Sequence, residues 1–435
     1  MTSIPSIART QAKQLLDFID ASPSPWHAVS SVGTALIEAG FERLQEREAW
    51  SLKPAGSYYV SRKDASIIAF RLGTKPIQET GYRIVGAHTD SPGLRLKPRP
   101  AYATDGIGRL AVEVYGGPIL ATFTDRDLSL AGRVNVRNGS GFDTRLIRFD
   151  QSLVRLPNLA IHMNREVNDK GLKLHKQNEL PLILGFCEDS ETAARNLLQL
   201  LAEKLDVEPD RILNWEMNVY DTQPGAFWGM ESEFIANSQI DNLASCHAGI
   251  TALLQTESPE ATTVCALFDH EEVGSESASG AGGSFIADVL ARIATAQGLS
   301  EELRLAAHAR SFIISADMAH AYHPNFPNAY EPGHKVMVNA GPVIKINVNQ
   351  RYSSDAETSA RFMLMCEKAG VPYQQYAHRT DLGCGSTIGP VISSALGMAG
   401  VDVGCPMWAM HSLRESAGVL DHHLMIKVLQ NAFES

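Results

Sequence analysis

Seven acidic or imidazole-bearing residues stand where secondary-structure elements should begin or end. His88 and Asp90 follow an apolar strand expected over residues 82–87, and Glu271 and Glu272 follow the apolar run 262–268. Asp317 follows a strand expected at 312–316, Asp241 opens a helix at 242–255, and His411 lies in the loop after a short strand at 401–403. Open α/β sheets bind ligands outside the carboxyl ends of their strands, so these separate stretches converge on one edge. Imidazole and carboxylate ligands without thiolates suit a catalytic zinc, or manganese or cobalt in the same geometry. Two metals roughly 3.5–4 Å apart need a bridging carboxylate and further ligands on each side. Two histidines, two aspartates and one glutamate would supply that set. Adjacent side chains on extended backbone face opposite sides, so one of Glu271 and Glu272 can ligate while the other acts as general base. Asp90, two residues beyond His88, can hold its imidazole in the ligating tautomer.

Each residue also has a plainer reading. A lone histidine is most often structural, Asp241 ahead of a helix is an N-cap, Asp317 forms a turn, and a Glu pair is a solvated surface. Their joint placement at strand ends favours the chemical reading. His270-Glu271-Glu272 continues as Val273-Gly274 and so is not the helical H-E-x-x-H zinc motif. The glycines between residues 274 and 283 lack the Lys-Ser/Thr of a phosphate-binding loop, and His422-His423 on the last helix reads as packed or solvent-exposed.

The elements that must position these residues are an alternation of helices and strands. Residues 7–41 read as two helices joined by the turn Ser22-Pro23-Ser24-Pro25, followed by strands near 57–61 and 67–71. After residue 234, helices at 242–255, 285–296, 357–368 and the C-terminus alternate with strands at 262–268, 312–316 and 373–377. The continuous apolar run 262–268 is of the kind buried on both faces of a parallel sheet. The expected fold is α/β, a doubly wound mixed sheet with helices on both faces. Residues 93–234 differ in character. Short strands are expected at 110–115, 119–124, 128–136, 145–149 and 159–163, with one helix at 192–205 and a strand near 217–220. The domains are therefore expected as 1–92 with 235–435, interrupted by a β-rich insertion over 93–234.

A chain of 435 residues exceeds the usual size of one hydrophobic core. With 38 Lys and Arg against 49 Asp and Glu, a net charge of -11 and no basic run, nucleic-acid binding is excluded. Six scattered cysteines without a C-x-x-C pair read as reduced core thiols. An N-terminus without an apolar signal region, and no run long enough to span a membrane, point to a soluble cytoplasmic protein.

Seven strings then become specific: GAHTDSPGLRLKP from Gly86, YGGPILATFTDRDLSLAGR from Tyr115, SQIDNLAS from Ser238, DHEEVGS from Asp269, SADMAHAYHPN from Ser315, RTDLGCGSTIGP from Arg379 and MHSLRE from Met410. Together, in this order, they resemble the aspartyl aminopeptidase family of co-catalytic di-zinc exopeptidases. The resemblance implies two zinc ions per subunit, with manganese or cobalt as substitutes. It implies His88 and Asp317 on one ion, Glu272 and His411 on the other, and Asp241 bridging. Glu271 is implied as general base and Asp90 as the partner that orients His88.

The same resemblance implies hydrolysis of N-terminal Asp, then Glu, from peptides, by a water held between the metals. Lys345 is implied as the cation for the acidic side chain, with Tyr352 and His320 nearby; unaided, Lys345 reads as a surface residue on a strand. The insertion is implied as a dimerisation module within a twelve-subunit shell. His162 is implied to complete a neighbouring subunit's active site, although by itself it reads as an unremarkable strand residue. The rival expectations are a di-metal aminopeptidase of broad or neutral specificity, a deacylase on the same fold, and a non-catalytic assembling protein. Intact Glu271 and five intact ligands weigh against the last.

Overall fold

Alternation along the central strands explains how one apolar run serves two cores. In strand Thr262–Phe268, Cys265 and Leu267 pack with Val85, Ala87, Phe312, Ile314, Val401 and Val403 into one core. Val264, Ala266 and Phe268 pack with Ile84 and Ile313 into another on the opposite face. Period-two alternation with both faces apolar demands helices on both sides. The first core is covered by helices Ser6–Asp20, Pro25–Glu38, Ile240–Gln255, Ala356–Ala369 and Val419–Glu434. The second is covered by helices Phe285–Ala296 and Ile388–Leu396.

The computed structural model describes residues 4–435. Two units emerge: the described part of Met1–Asp90 with Gly225–Met410 and Glu415–Ser435, and Ser91–Pro224 with His411–Arg414. The first unit carries a nine-stranded mixed sheet. Its order is Glu42–Arg43, Ser57–Arg62, Ser66–Arg71, Thr262–Phe268, Tyr82–His88, Phe312–Ala316, Ala399–Gly404, Val343–Ile346 and Gln374–Ala377. The four strands from Thr262–Phe268 to Ala399–Gly404 run parallel, with His88 level with Phe268 and Ala316 level with Val403. The fold is therefore mixed α/β with helices on both faces, as the residue pattern implied. A smaller sheet in the same unit orders Ala226–Trp228, Phe234–Asn237, Glu415–Gly418, Pro406–Trp408 and Ala319–His320.

The second unit is a six-stranded antiparallel sheet in the order Gly141–Arg148, Leu128–Asn138, Ile212–Asp221, Gly93–Thr104, Ile107–Tyr115 and Leu182–Phe186. Helix Ser190–Leu205, capped by the Asp189 carboxylate, lays Leu197, Leu201 and Ala202 on its core.

Three expectations need correction. Residues 225–234, expected in the insertion, group with the first unit, where Ala226–Trp228 pairs with Phe234–Asn237. Residues 119–124 are not a strand but carry a 3-10 turn, Leu120–Phe123, in which the Thr122 and Thr124 hydroxyls donate to the Ile119 and Ala121 carbonyls. Residues 161–163 form a turn, so His162 is an exposed turn residue rather than a strand residue.

Candidate metal centre

The edge of the parallel sheet delivers its side chains in adjacent registers. His88 ends strand Tyr82–His88 and is buried, as are Asp90 and Asp241. Its Nδ1 faces the Asp90 main-chain carbonyl at 3.0 Å and the Asp90 carboxylate at 3.4 Å. In the neutral imidazole, donation from Nδ1 to the carbonyl leaves Nε2 with a lone pair. That Nε2 points at three carboxylates: Asp317 at 3.4 Å, Asp241 at 3.5 Å and Glu271 at 3.9 Å. The ligand atoms of His88, Asp241 and Glu272 lie within 4.8 Å of one another.

Asp90 does something the sequence did not suggest. Its two carboxylate oxygens accept from the backbone N–H groups of Glu271 and Glu272, each at 3.1 Å, and so set the pose of the Glu pair directly. Its main-chain carbonyl accepts from His88 Nδ1, with the carboxylate close behind at 3.4 Å. Other supports were equally unseen. The Cys246 thiol donates to the His88 carbonyl, Asn242 Nδ2 to the Ala316 carbonyl, and the buried Glu415 carboxylate accepts from Asp241 N at 3.0 Å. Glu415 lies inside the MHSLRE string, which was its only signal. Asp241 sits at a kink near the start of helix Ile240–Gln255, where its backbone is non-helical at φ -83° and ψ 105°. Asp317 continues the sheet pattern by donating its N–H to the Val403 carbonyl. Gly404 permits this approach, because a Cβ there would stand 1.9 Å from the Asp317 carbonyl oxygen.

The electrostatics are those of crowded like charges. Burial pushes Glu272 well above the usual carboxylate range, with Asp241 the next cause, and burial holds Glu271 at about 7. Burial opposes protonation of His88, but Asp241, Asp317 and Asp90 outweigh it and raise the imidazole well above its ordinary value. Such a set is relieved by a cation.

The remaining expected residues are distributed as follows. Lys345 is buried, not on the surface, and donates to Asp317 at 3.1 Å and to the Met318 carbonyl at 3.2 Å. Its ammonium lies 5.1 Å from the Tyr352 ring, which is also buried. His320 is half-buried beside Tyr376, with ring centroids 5.9 Å apart. His411 belongs to the second unit, where its Nδ1 faces the Gly117 carbonyl at 3.1 Å. His162 is also in the second unit, on the exposed turn. His422 is buried against His247 at 2.9 Å and takes no part in the centre.

Comparison with known proteins decides which chemistry this centre serves. Residues 18–433 match the family model described as aminopeptidase I zinc metalloprotease (M18). The chain belongs to the M18 aminopeptidase family. It is 48% identical over 426 residues, 97% of both chains, to a probable M18 family aminopeptidase 2 of Ectopseudomonas mendocina. A similar relative in Azotobacter vinelandii is 46% identical over 432 residues, covering 98% of this chain and 99% of its own. Among solved structures, a chain of the Ape4 and Nbr1 complex superposes with a TM-score of 0.95 at 35% identity, covering 100% of this chain and 88% of that one. The S. cerevisiae mApe1 dodecamer gives 0.85 at 26% identity, covering 98% and 96%. The protein is thus an M18 zinc metalloaminopeptidase, and its centre fits zinc on its own chemistry. His88 Nε2 is buried without a hydrogen-bond partner among the described residues, and the surrounding donors are the nitrogen and oxygen atoms of a catalytic zinc site.

Proposed function

We propose that this M18 aminopeptidase removes acidic N-terminal residues, Asp before Glu, from peptides. The observation that supports acidic specificity is Lys345, an ammonium buried beside the acid cluster under the Tyr352 ring. Asp317 and the Met318 carbonyl engage two of its three N–H groups, leaving one for a substrate carboxylate. A neutral side chain entering the same place would leave that charge unmatched, which is costly in a buried site.

In this reading His88, Asp241, Glu272 and Asp317 would hold two zinc ions with His411, whose part rests on the motif resemblance alone. Bound zinc supplies polarisation of the scissile carbonyl and acidification of water. Glu271 takes the proton from the attacking water and returns it to the leaving nitrogen. Asp90 keeps Glu271 and Glu272 in register through their backbone amides, and its carbonyl keeps the His88 Nε2 lone pair turned inward.

The test is a panel of Asp-, Glu-, Leu- and Lys-anilides on zinc-loaded protein whose metal content has been measured. The expected order is Asp, then Glu, with Leu and Lys far behind. Lys345→Met should lower kcat/KM for the Asp substrate by about a hundredfold while changing Leu by less than about threefold. Equal turnover of Leu and Asp by the wild type would replace the acidic reading with a broad specificity. No turnover at full zinc occupancy would favour a non-catalytic assembling protein.

Self-association belongs to the same proposal. The second unit exposes Leu159, Ile161 and Met163 around His162, apolar surface suited to burial against another copy. We expect dimers built through this unit, assembled into a dodecamer like that of the similar S. cerevisiae chain, in the cytoplasm. Light scattering on the zinc-loaded protein should give twelve times the 47.3 kDa chain mass, and a monomer would remove the role proposed for His162.

A further inference from the structure

Strands Val343–Ile346 and Gln374–Ala377 are parallel neighbours in which Lys345 stands opposite Tyr376. Both side chains are buried, and Tyr376 joins Ala319, Val336, Val343 and Tyr352 in a small apolar cluster separate from the two main cores. Two residues further on, just past the strand, His378 returns its imidazole to Tyr376. The Tyr376 hydroxyl and His378 Nδ1 are 2.5 Å apart. The His320 ring completes a triangle, with centroids 5.9 Å from Tyr376 and 6.3 Å from His378.

Proton bookkeeping fixes what this triangle presents. Burial raises the Tyr376 phenol above its ordinary value, so it stays protonated, and Nδ1 at 2.5 Å is the acceptor that faces its hydrogen. A neutral imidazole that accepts at Nδ1 carries its own proton on Nε2. That Nε2 is buried and has no hydrogen-bond partner among the described residues. An unmatched buried N–H is costly, and such groups persist where a ligand or a water is due to accept from them.

We propose that His378, oriented by Tyr376, is a specificity-determining residue that donates its Nε2–H to a side-chain oxygen of the substrate's N-terminal residue, beside the Lys345 ammonium. The assignment rests on the reading of this pocket as one for acidic side chains. A point charge attracts a carboxylate but tolerates many poses, whereas an N–H donor on an imidazole fixed by hydrogen bonding adds direction.

The experiment compares kcat/KM for Asp- and Leu-para-nitroanilide in zinc-loaded wild type, His378→Val, His378→Gln and Tyr376→Phe, with zinc content and melting temperature measured on each. His378→Val should lose about tenfold on the Asp substrate, the worth of one hydrogen bond, and stay within about twofold on Leu. His378→Gln, which places an amide N–H near the position of Nε2, should recover most of that loss. Tyr376→Phe, which frees the imidazole to turn, should fall between Val and wild type. An Asp-to-Leu ratio in His378→Val equal to that of the wild type overturns the proposal, because the buried N–H then serves only the fold or a water. Should the Val variant not fold, an unchanged ratio in Tyr376→Phe overturns it equally. A wild type indifferent between the two substrates removes the acidic reading, while the His378 assignment is judged on variant against wild type alone.

Discussion

Zinc-loaded Glu271→Gln is expected to keep its full zinc content and to lose about three orders of magnitude in kcat, the scale of a positioned general base. Gln has nearly the shape of Glu, and the contact that positions residue 271 is a backbone N–H donated to Asp90, which the substitution leaves intact. Glu271 also stands apart from the tightest ligand grouping, which joins His88, Asp241 and Glu272. Its carboxylate is 3.9 Å from His88 Nε2, farther than Asp241 or Asp317. The pH profile gives a second readout. Burial holds the Glu271 carboxyl at about 7 without metal, and nearby cations would bring it lower. A base works only when unprotonated, so kcat/KM of the zinc-loaded wild type should fall as pH drops through the lowered value, below about 7. The Gln variant should lack this acidic limb. Metal analysis by atomic absorption with a pH-rate series checks both. Loss of zinc would make Glu271 a ligand, and undiminished turnover would remove it as the base.

The elements that carry the centre were legible because period and length agree there. Helix Phe285–Ala296 and strands Thr262–Phe268 and Phe312–Ala316 appear where their apolar spacing put them. The segments that misled carry hydrogen bonds that compete with a strand ladder. Around Ile119, threonine hydroxyls close turns onto their own backbone, and near Leu159 the chain is tied by Asn158 to Asp125 rather than by a ladder. The centre was legible as a set of residue types at strand ends, but not in its supports. The carboxylate of Asp90 reaches amides 181 and 182 residues away, and no local pattern signals such a pairing. Lys345 shows the same limit: four strand residues predict a strand, yet its burial against Asp317 follows from tertiary packing alone.

Asp241→Asn is expected to have the second large effect, and to separate the metal's contribution from that of the fold. As the proposed bridge it would serve both ions, so the variant should hold less than half the wild-type zinc after dialysis and lose at least about a hundredfold in kcat. The metal-free proteins should behave in the opposite sense. Without a cation the cluster is strained by like charge, and Asp241 is the leading charged neighbour raising Glu272. A carboxyl raised in the folded state binds a proton there that the unfolded chain has released, so its contribution to stability falls as pH rises above the unfolded value. His88, also raised when folded, loses its contribution in the same direction as pH passes its folded value. The buried neutral His247 and His422 have the opposite sign, but they act below their unfolded value near 6.5 and add little above pH 7. Between about pH 7 and 8.5, metal-free wild type should therefore lose melting temperature, while zinc-loaded wild type, its charges compensated, should change less. Removing the Asp241 charge should make the metal-free decline shallower. Differential scanning calorimetry with and without zinc at the two pH values measures all three slopes. A metal-free variant that declines as steeply as the wild type would show that Asp241 is not the source of the strain, whatever its effect on zinc.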